Sequence, residues 1–195
     1  MISAILLAAG QSKRMGQPKM LLPWGKSTVI EQVITTFLKA GLEDVIVVTG
    51  GAREPVERIL SRYPVRTVHN PNYPTGEMLS SIQCALRTMP DQSQATLIGL
   101  GDQPQIQGEI VRSICEMFRR RKSKLIVPSF ELRRGHPWLV ARPLWNEILA
   151  LEPPDSPRDF LNRHAPDIDY LNVDTDSVLA DLDTPEDYQK SRPNQ

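Results

Sequence analysis

Apolar residues along this chain fall into two alternating rhythms. The run Ala4-Ile5-Leu6-Leu7-Ala8-Ala9 is unbroken and ends at Gly10. It lacks helical spacing, so it predicts a strand buried on both faces. Shorter apolar runs predict further strands over 44–49, 66–69, 96–100, 125–128, 138–140 and 168–173. Between them the spacing changes to that of a helix. Val29, Ile30, Val33, Ile34, Phe37 and Leu38 predict a helix capped by Ser27 or Thr28, running to about Lys39 and stopped by Gly41. Further helices are expected over 54–63, 78–87, 109–121 and 144–151, with at least a turn over 158–163. Thr184 is placed to cap a last helix, with Pro185 at its first position and Asp187 in capping-box register. Strands alternating with helices predict an α/β fold, a three-layer α/β/α sandwich around a mainly parallel sheet. No internal repeat or linker divides the chain, so residues 1–190 read as one domain and 191–195 as a loose tail.

The stretch after the first strand changes the picture from fold to chemistry. Gly10 and Gly16 bracket a loop that carries Lys13 and Arg14, and Lys19 follows. Glycine lets a backbone turn sharply and approach a ligand. Successive N–H groups in such a turn cradle anionic oxygens, and the cations add full charge. At the carboxyl end of a parallel strand this predicts a polyphosphate site, with a solvated basic loop as the plain alternative. Neither familiar glycine motif fits. Five residues separate Gly10 from Gly16 and Gln17-Pro18 follows, unlike a Walker loop. Gly99-Leu100-Gly101 meets Pro104 where a dinucleotide fingerprint needs glycine.

Composition removes several function classes. Lys plus Arg and Asp plus Glu are 23 each. A general nucleic-acid or membrane-surface binder needs a basic excess that this balance does not supply. Cys84 and Cys115 are far apart, each in an expected helix, and read as buried free thiols, not metal ligands or a disulfide. No apolar run is long enough to span a bilayer. The first strand follows Met1 directly and leaves no room for a signal peptide, so the expected location is the cytoplasm.

The whole opening, Leu7 to Lys19, resembles the signature of the MobA-like nucleotidyltransferases, roughly L-A-A/G-G-x-S-x-R-M-G-x-x-K, with every fixed position present. The Ala8-Ala9-Gly10 variant is similar to the molybdenum cofactor cytidylyltransferase branch. The resemblance implies a Rossmann-like fold of the nucleotide-diphospho-sugar transferase type. It implies transfer of a nucleoside monophosphate, CMP from CTP, to a phosphorylated acceptor such as molybdopterin, with release of pyrophosphate. Mg²⁺ is the implied cofactor, and a molybdoenzyme or its chaperone an implied partner. A sugar-phosphate or other small-molecule nucleotidyltransferase of the same fold is an alternative, and so is a non-catalytic nucleotide-binding partner protein.

Site residues follow from the same resemblance. Asp102, in Gly-Asp-Gln-Pro after a buried strand, is either a turn aspartate bonding its own backbone or a metal ligand. The family has its metal-binding aspartate there. Its second ligand precedes Thr-Pro-Glu, which maps to Asp183 and not Asp181. Arg14 and Lys19 are the implied catalytic cations. Leu7, Ala8, Ala9, Gly10, Ser12, Arg14, Lys19, Gly50, Asn70, Gly76, Ser80, Ser81 and Asp102 are the implied nucleotide contacts, Ser80 and Ser81 being equally readable as helix caps. Gly135, His136 and Arg158 are implied at the acceptor. Two departures stand out. Glu77 is inserted where the family reads Gly-Met-x-x-Ser, and 155–159 lacks both glycines of the usual Gly-Asp-x-Gly-Ala-Arg turn.

Overall fold

The computed structural model describes residues 1–193. The first strand, β1 (Ile2–Ala8), is buried at every position, as its unbroken apolar run requires. A two-strand ribbon, β2 (Pro23–Trp24) and β3 (Ser27–Thr28), leads into α1 (Val29–Lys39). Thr28 caps α1 reciprocally: its hydroxyl accepts from Glu31 N, and the Glu31 carboxylate accepts from Thr28 N. Then come β4 (Asp44–Thr49), α2 (Arg53–Leu60), β5 (Arg66–His69), α3 (Glu77–Leu86), β6 (Ala95–Leu100) and α4 (Gly108–Arg121). The remainder is β7 (Leu125–Phe130), β8 (Arg133–Arg134), β9 (Trp138–Ala141), α5 (Trp145–Leu149), α6 (Pro157–Arg163), β10 (Ile168–Asn172) and α7 (Pro185–Ser191).

The large sheet runs β10-β7-β9-β6-β1-β4-β5, with β8 paired to β7. It is mostly parallel, and β9 is antiparallel to both β6 and β7. A parallel return needs a crossover of a dozen or more residues. Only Glu131 and Leu132 separate β7 from β8, so β8, and β9 after it, have to run back along β7. Helices cover both faces. Ala4, Leu6 and Ala8 pack with Ile30, Phe37, Val56 and Ile114 of α1, α2 and α4. Ile5, Leu7 and Ala9 pack with Ile82, Trp145 and Phe160 of α3, α5 and α6. Each large apolar side chain removed from water contributes about 1.5–3 kcal/mol. Two such faces fix β1, and with it the loop leaving its carboxyl end.

The elements match the expected alternation with small shifts at their ends. Helix α7 continues through Ser191, held by the Thr184–Asp187 capping box and buried Tyr188, so the expected tail loses its first residue to a helix. Residues 194–195 of that tail lie outside the described residues. Cys115 is buried in α4, while Cys84 in α3 is only half-buried. No helix among the described residues is long and apolar enough to cross a membrane.

Candidate active site

The carboxyl end of β1 lies between those of β4 and β6: Ala8 pairs with Thr49, and Leu7 with Leu100. The chain then passes between two glycines that have no room for a side chain. A Cβ on Gly50 would stand 2.3 Å from the Ala9 carbonyl oxygen, and one on Gly101 would stand 3.0 Å from that of Leu7. The loop closes on itself through Ser12. Its carbonyl accepts from Met15 N and Gly16 N, and its hydroxyl accepts from Lys19 N at 3.1 Å. Met15 buries with Leu22, Trp24, Val29, Leu182 and Tyr188, which ties the loop to the C-terminal segment. Tyr188 Oη donates to the Pro23 carbonyl at 2.7 Å.

That tie brings distant carboxylates onto the cationic loop. Leu182 N donates to the Asp102 carbonyl at 3.1 Å. Leu182 points into the core, and Asp181 and Asp183 on either side of it turn the other way. Oxygens of Asp102, Asp181 and Asp183 lie within 4.8 Å of one another. Lys19 Nζ donates to the Asp102 carboxylate and stands 3.5 Å from Asp183 Oδ1. Arg14 Nη2 donates to Asp183 Oδ2 at 2.8 Å. Burial pushes the Asp102 carboxyl up; the Lys19 ammonium opposes that shift and Asp181 adds to it. Three hard carboxylate oxygens on one side of a cleft suit a divalent cation, and the Lys19 ammonium already stands among them as a stand-in positive charge. Lys13 is exposed, as its position in the loop predicts.

Two small cavities flank this cluster. An outer one of about 300 Å³ lies over Gly10, Ser12, Lys13, Arg14, Lys19 and Asp183. An inner one of about 350 Å³ is lined by Leu7, Ala9, Gly10, Arg14, Lys19, Ser81 and Asp102 among others. The other expected nucleotide residues stand behind its wall. Ala8 faces the core, and Gly50 packs on Ala9. Asn70 is buried, and its Nδ2 donates to the hydroxyls of Ser80 at 2.8 Å and Ser81 at 3.0 Å. Ser80 therefore supports the loop, while Ser81 reaches the cavity. A Cβ on Gly76 would meet Ser80 Oγ at 2.4 Å, so this position needs glycine. The inserted Glu77 begins α3 in the left-handed region, at φ 48°.

The expected acceptor residues, Gly135, His136 and Arg158, converge on a third and larger cleft of about 1140 Å³, together with Arg133, Arg134, Met78, Trp138 and Tyr170. Glu77 and Met78 line both this cleft and the inner cavity, and so form the seam between them. Gly135 packs on the chain at Val178, where a Cβ would stand 2.5 Å from the carbonyl oxygen, and His136 N donates to that same carbonyl. The His136 ring is half-buried among side chains that strip it of water, which lowers its pKa to about 4. Arg134 is fixed by Tyr170 Oη at 2.9 Å and Asn162 Oδ1 at 2.8 Å. In place of the missing glycine turn, Ser156 caps α6 reciprocally with Asp159, and Arg158 lies in that first helical turn.

Sequence reasoning missed Asp181, Tyr73, Glu77 and Met78 as lining residues. For Asp181 a signal exists. In an extended segment, residues two apart share a face, so Asp-Leu-Asp offers two carboxylates together. For Tyr73 and Met78 there is none, because only the packing of the 70–76 loop and the start of α3 beside the glycine loop brings them in.

Residues 4–168 match the MobA-like NTP transferase domain, and the chain belongs to that family. It is a nucleotidyltransferase of the MobA-like type. It is 30% identical to the molybdenum cofactor cytidylyltransferase of Escherichia coli K12 over 96% of this chain and 93% of that protein. It is 29% identical to the nicotine blue oxidoreductase of Paenarthrobacter nicotinovorans over 95% of this chain and 93% of that protein. Among solved structures, Rv0371c from Mycobacterium tuberculosis H37Rv in complex with manganese superposes with a TM-score of 0.79 at 26% identity, covering 97% of this chain and 96% of that one.

Proposed function

We propose that this enzyme transfers CMP from CTP to the phosphate of molybdopterin or its molybdenum-loaded form, with Mg²⁺, releasing pyrophosphate. The observation that carries the reading is one connected site: a cationic glycine loop on three carboxylates, opening through Glu77 and Met78 into a large basic cleft. An acceptor phosphate oxygen attacks the α-phosphorus of CTP; the bond to the β-phosphate bridging oxygen breaks, and pyrophosphate leaves with its electron pair. Mg²⁺ held by Asp102 and Asp183, with Asp181 beside them, would polarise the α-phosphate. Arg14 and the Gly10–Ser12 backbone bind the β- and γ-phosphates, and Lys19 offsets charge growing on the α-phosphate. Arg134 and Arg158 hold the acceptor anion, so the two reactants meet in line at the seam. His136, neutral at pH 7, offers the acceptor a hydrogen bond and no charge.

The test is pyrophosphate release with molybdopterin and each of the four NTPs. CTP is expected to lead GTP in kcat/KM by a factor of about 10–200, what one methyl in a pocket is worth. That methyl is Ala9, where guanylyltransferases resembling this chain carry glycine. Ala9→Gly should shrink that preference without abolishing CTP use. Release with another phosphorylated acceptor and none with molybdopterin would move the chain to the sugar-phosphate type.

A further inference from the structure

We propose that Lys19 and Arg14 are internal counter-cations that hold the metal-binding carboxylates until a triphosphate draws them away, so that the divalent ion enters with the triphosphate and not ahead of it. The proposal rests on the reading above for the site and the class of nucleotide, and adds the order in which the site fills.

The carboxylates are already engaged. Lys19 Nζ donates to Asp102 Oδ2 and approaches Asp183 Oδ1 at 3.5 Å, while Arg14 takes Asp183 Oδ2 at 2.8 Å. Among the described residues Asp181 has no ion pair, so two cations face three carboxylates. A divalent ion arriving alone has to displace these cations and then sit beside them. The Lys19 and Asp102 side chains are only 12% and 10% exposed. An ammonium pushed off Asp102 loses a pair that is largely buried, and stripping one partner from a buried pair is strongly unfavourable.

A triphosphate changes both terms. The outer cavity lies directly over Arg14, Lys13 and Lys19, where phosphate oxygens give the displaced cations new anionic partners. The same phosphates supply oxygens to the ion, and Mg²⁺ characteristically takes one or two carboxylates plus substrate phosphates. Metal and triphosphate therefore bind cooperatively, each tightening the other by the same factor. Arg14, 70% exposed, can swing to the phosphates, while Lys19 only needs to shift between neighbouring oxygens.

The test is Mn²⁺ binding followed by the electron-paramagnetic-resonance signal of the free ion, with no nucleotide present. Wild type is expected to bind Mn²⁺ weakly, and Lys19→Met to bind it about 5–150-fold more tightly, the usual span of coupling between sites. Arg14→Gln, at an exposed position that does not endanger folding, should tighten Mn²⁺ in the same direction by less. Lys13→Met removes a charge from the same loop that touches no carboxylate, and should change Mn²⁺ affinity less than about twofold. If Lys19→Met binds Mn²⁺ no better than wild type, or Lys13→Met tightens it as much, the contact does not gate the metal. Calorimetry of CTP with and without Mn²⁺ separates the two readings. Failure to bind CTP alongside this Mn²⁺ pattern overturns the cytidylyl reading and supports the counter-cations; CTP affinity unchanged by Mn²⁺ overturns the counter-cations and leaves the cytidylyl reading standing.

Discussion

The two ends of the site are built by opposite means. At the glycine-loop end, the proposed phosphate site, the central groups interlock: Ser12 closes the loop on Lys19, Lys19 spans Asp102 and Asp183, and Leu182 ties the last acidic pair to the Asp102 backbone. Gly50 and Gly101 leave no slack beside the first strand. In the large cleft the functional groups stand on short, open elements. Arg133 and Arg134 follow a tight turn whose two residues, Glu131 and Leu132, both have positive φ, with Leu132 98% exposed. Arg158 stands on one capped turn in place of the usual glycine motif. A centre that must bring charge to a fixed phosphorus needs preorganised groups. A cleft that recognises an acceptor can change its loops while the scaffold stays put.

Three substitutions test that contrast, in falling order of effect. Asp102→Ala and Asp183→Ala are each expected to lower kcat by about 10²–10³-fold, as when a preorganised electrostatic group is removed. Combined, they should cost little more than one alone, since the pair acts as a unit. Near-normal turnover in either single variant would show that the phosphate end is less interdependent than its contacts indicate. Arg158→Ala should raise the acceptor KM by about 10-fold, the worth of one charged hydrogen bond, with little change in kcat or in the KM for CTP. A kcat loss as large as that for Asp102 would erase the distinction between the two ends.

Stability carries the smaller effects. The folded pKa of His136 is about 4, below the ordinary histidine value of 6.5. The unfolded chain therefore takes up the proton more readily. Stability from this residue is complete above about pH 6.5 and is lost as pH falls toward 4. Urea midpoints at pH 7 and pH 5 should differ less in His136→Gln than in wild type, and equal differences would place the acid sensitivity elsewhere. Last, Glu77 holds a left-handed conformation that costs an ordinary residue about 1–2 kcal/mol. Glycine relieves it at an entropic cost of about 0.5–1 kcal/mol. Glu77→Gly should then raise Tm by about 2–4 °C. A lowered Tm would mean that the seam draws support from the Glu77 side chain.

The sequence alone determined whatever is set by local spacing. The apolar run of β1, the helical spacing of apolar positions in α1 and the Thr-Pro-Glu-Asp start of α7 each read correctly because burial and capping act over a few residues. The loop signature from Leu7 to Lys19 was legible as a family pattern, and the family it resembles is the one whose domain the chain matches. Tertiary structure alone decided the rest. It turned Asn70 and Ser80 from expected contacts into supports, because a buried amide has to satisfy its own hydrogen bonds before it can meet a ligand. It brought the Asp181–Asp183 pair to Asp102 by laying an extended segment, some 80 residues away in sequence, across the Asp102 backbone. It also placed Lys19 on the acidic cluster. A lysine reads as a phosphate ligand in any sequence, and only the fold shows which carboxylates it holds meanwhile, because charge pairing depends on distance through space and not along the chain.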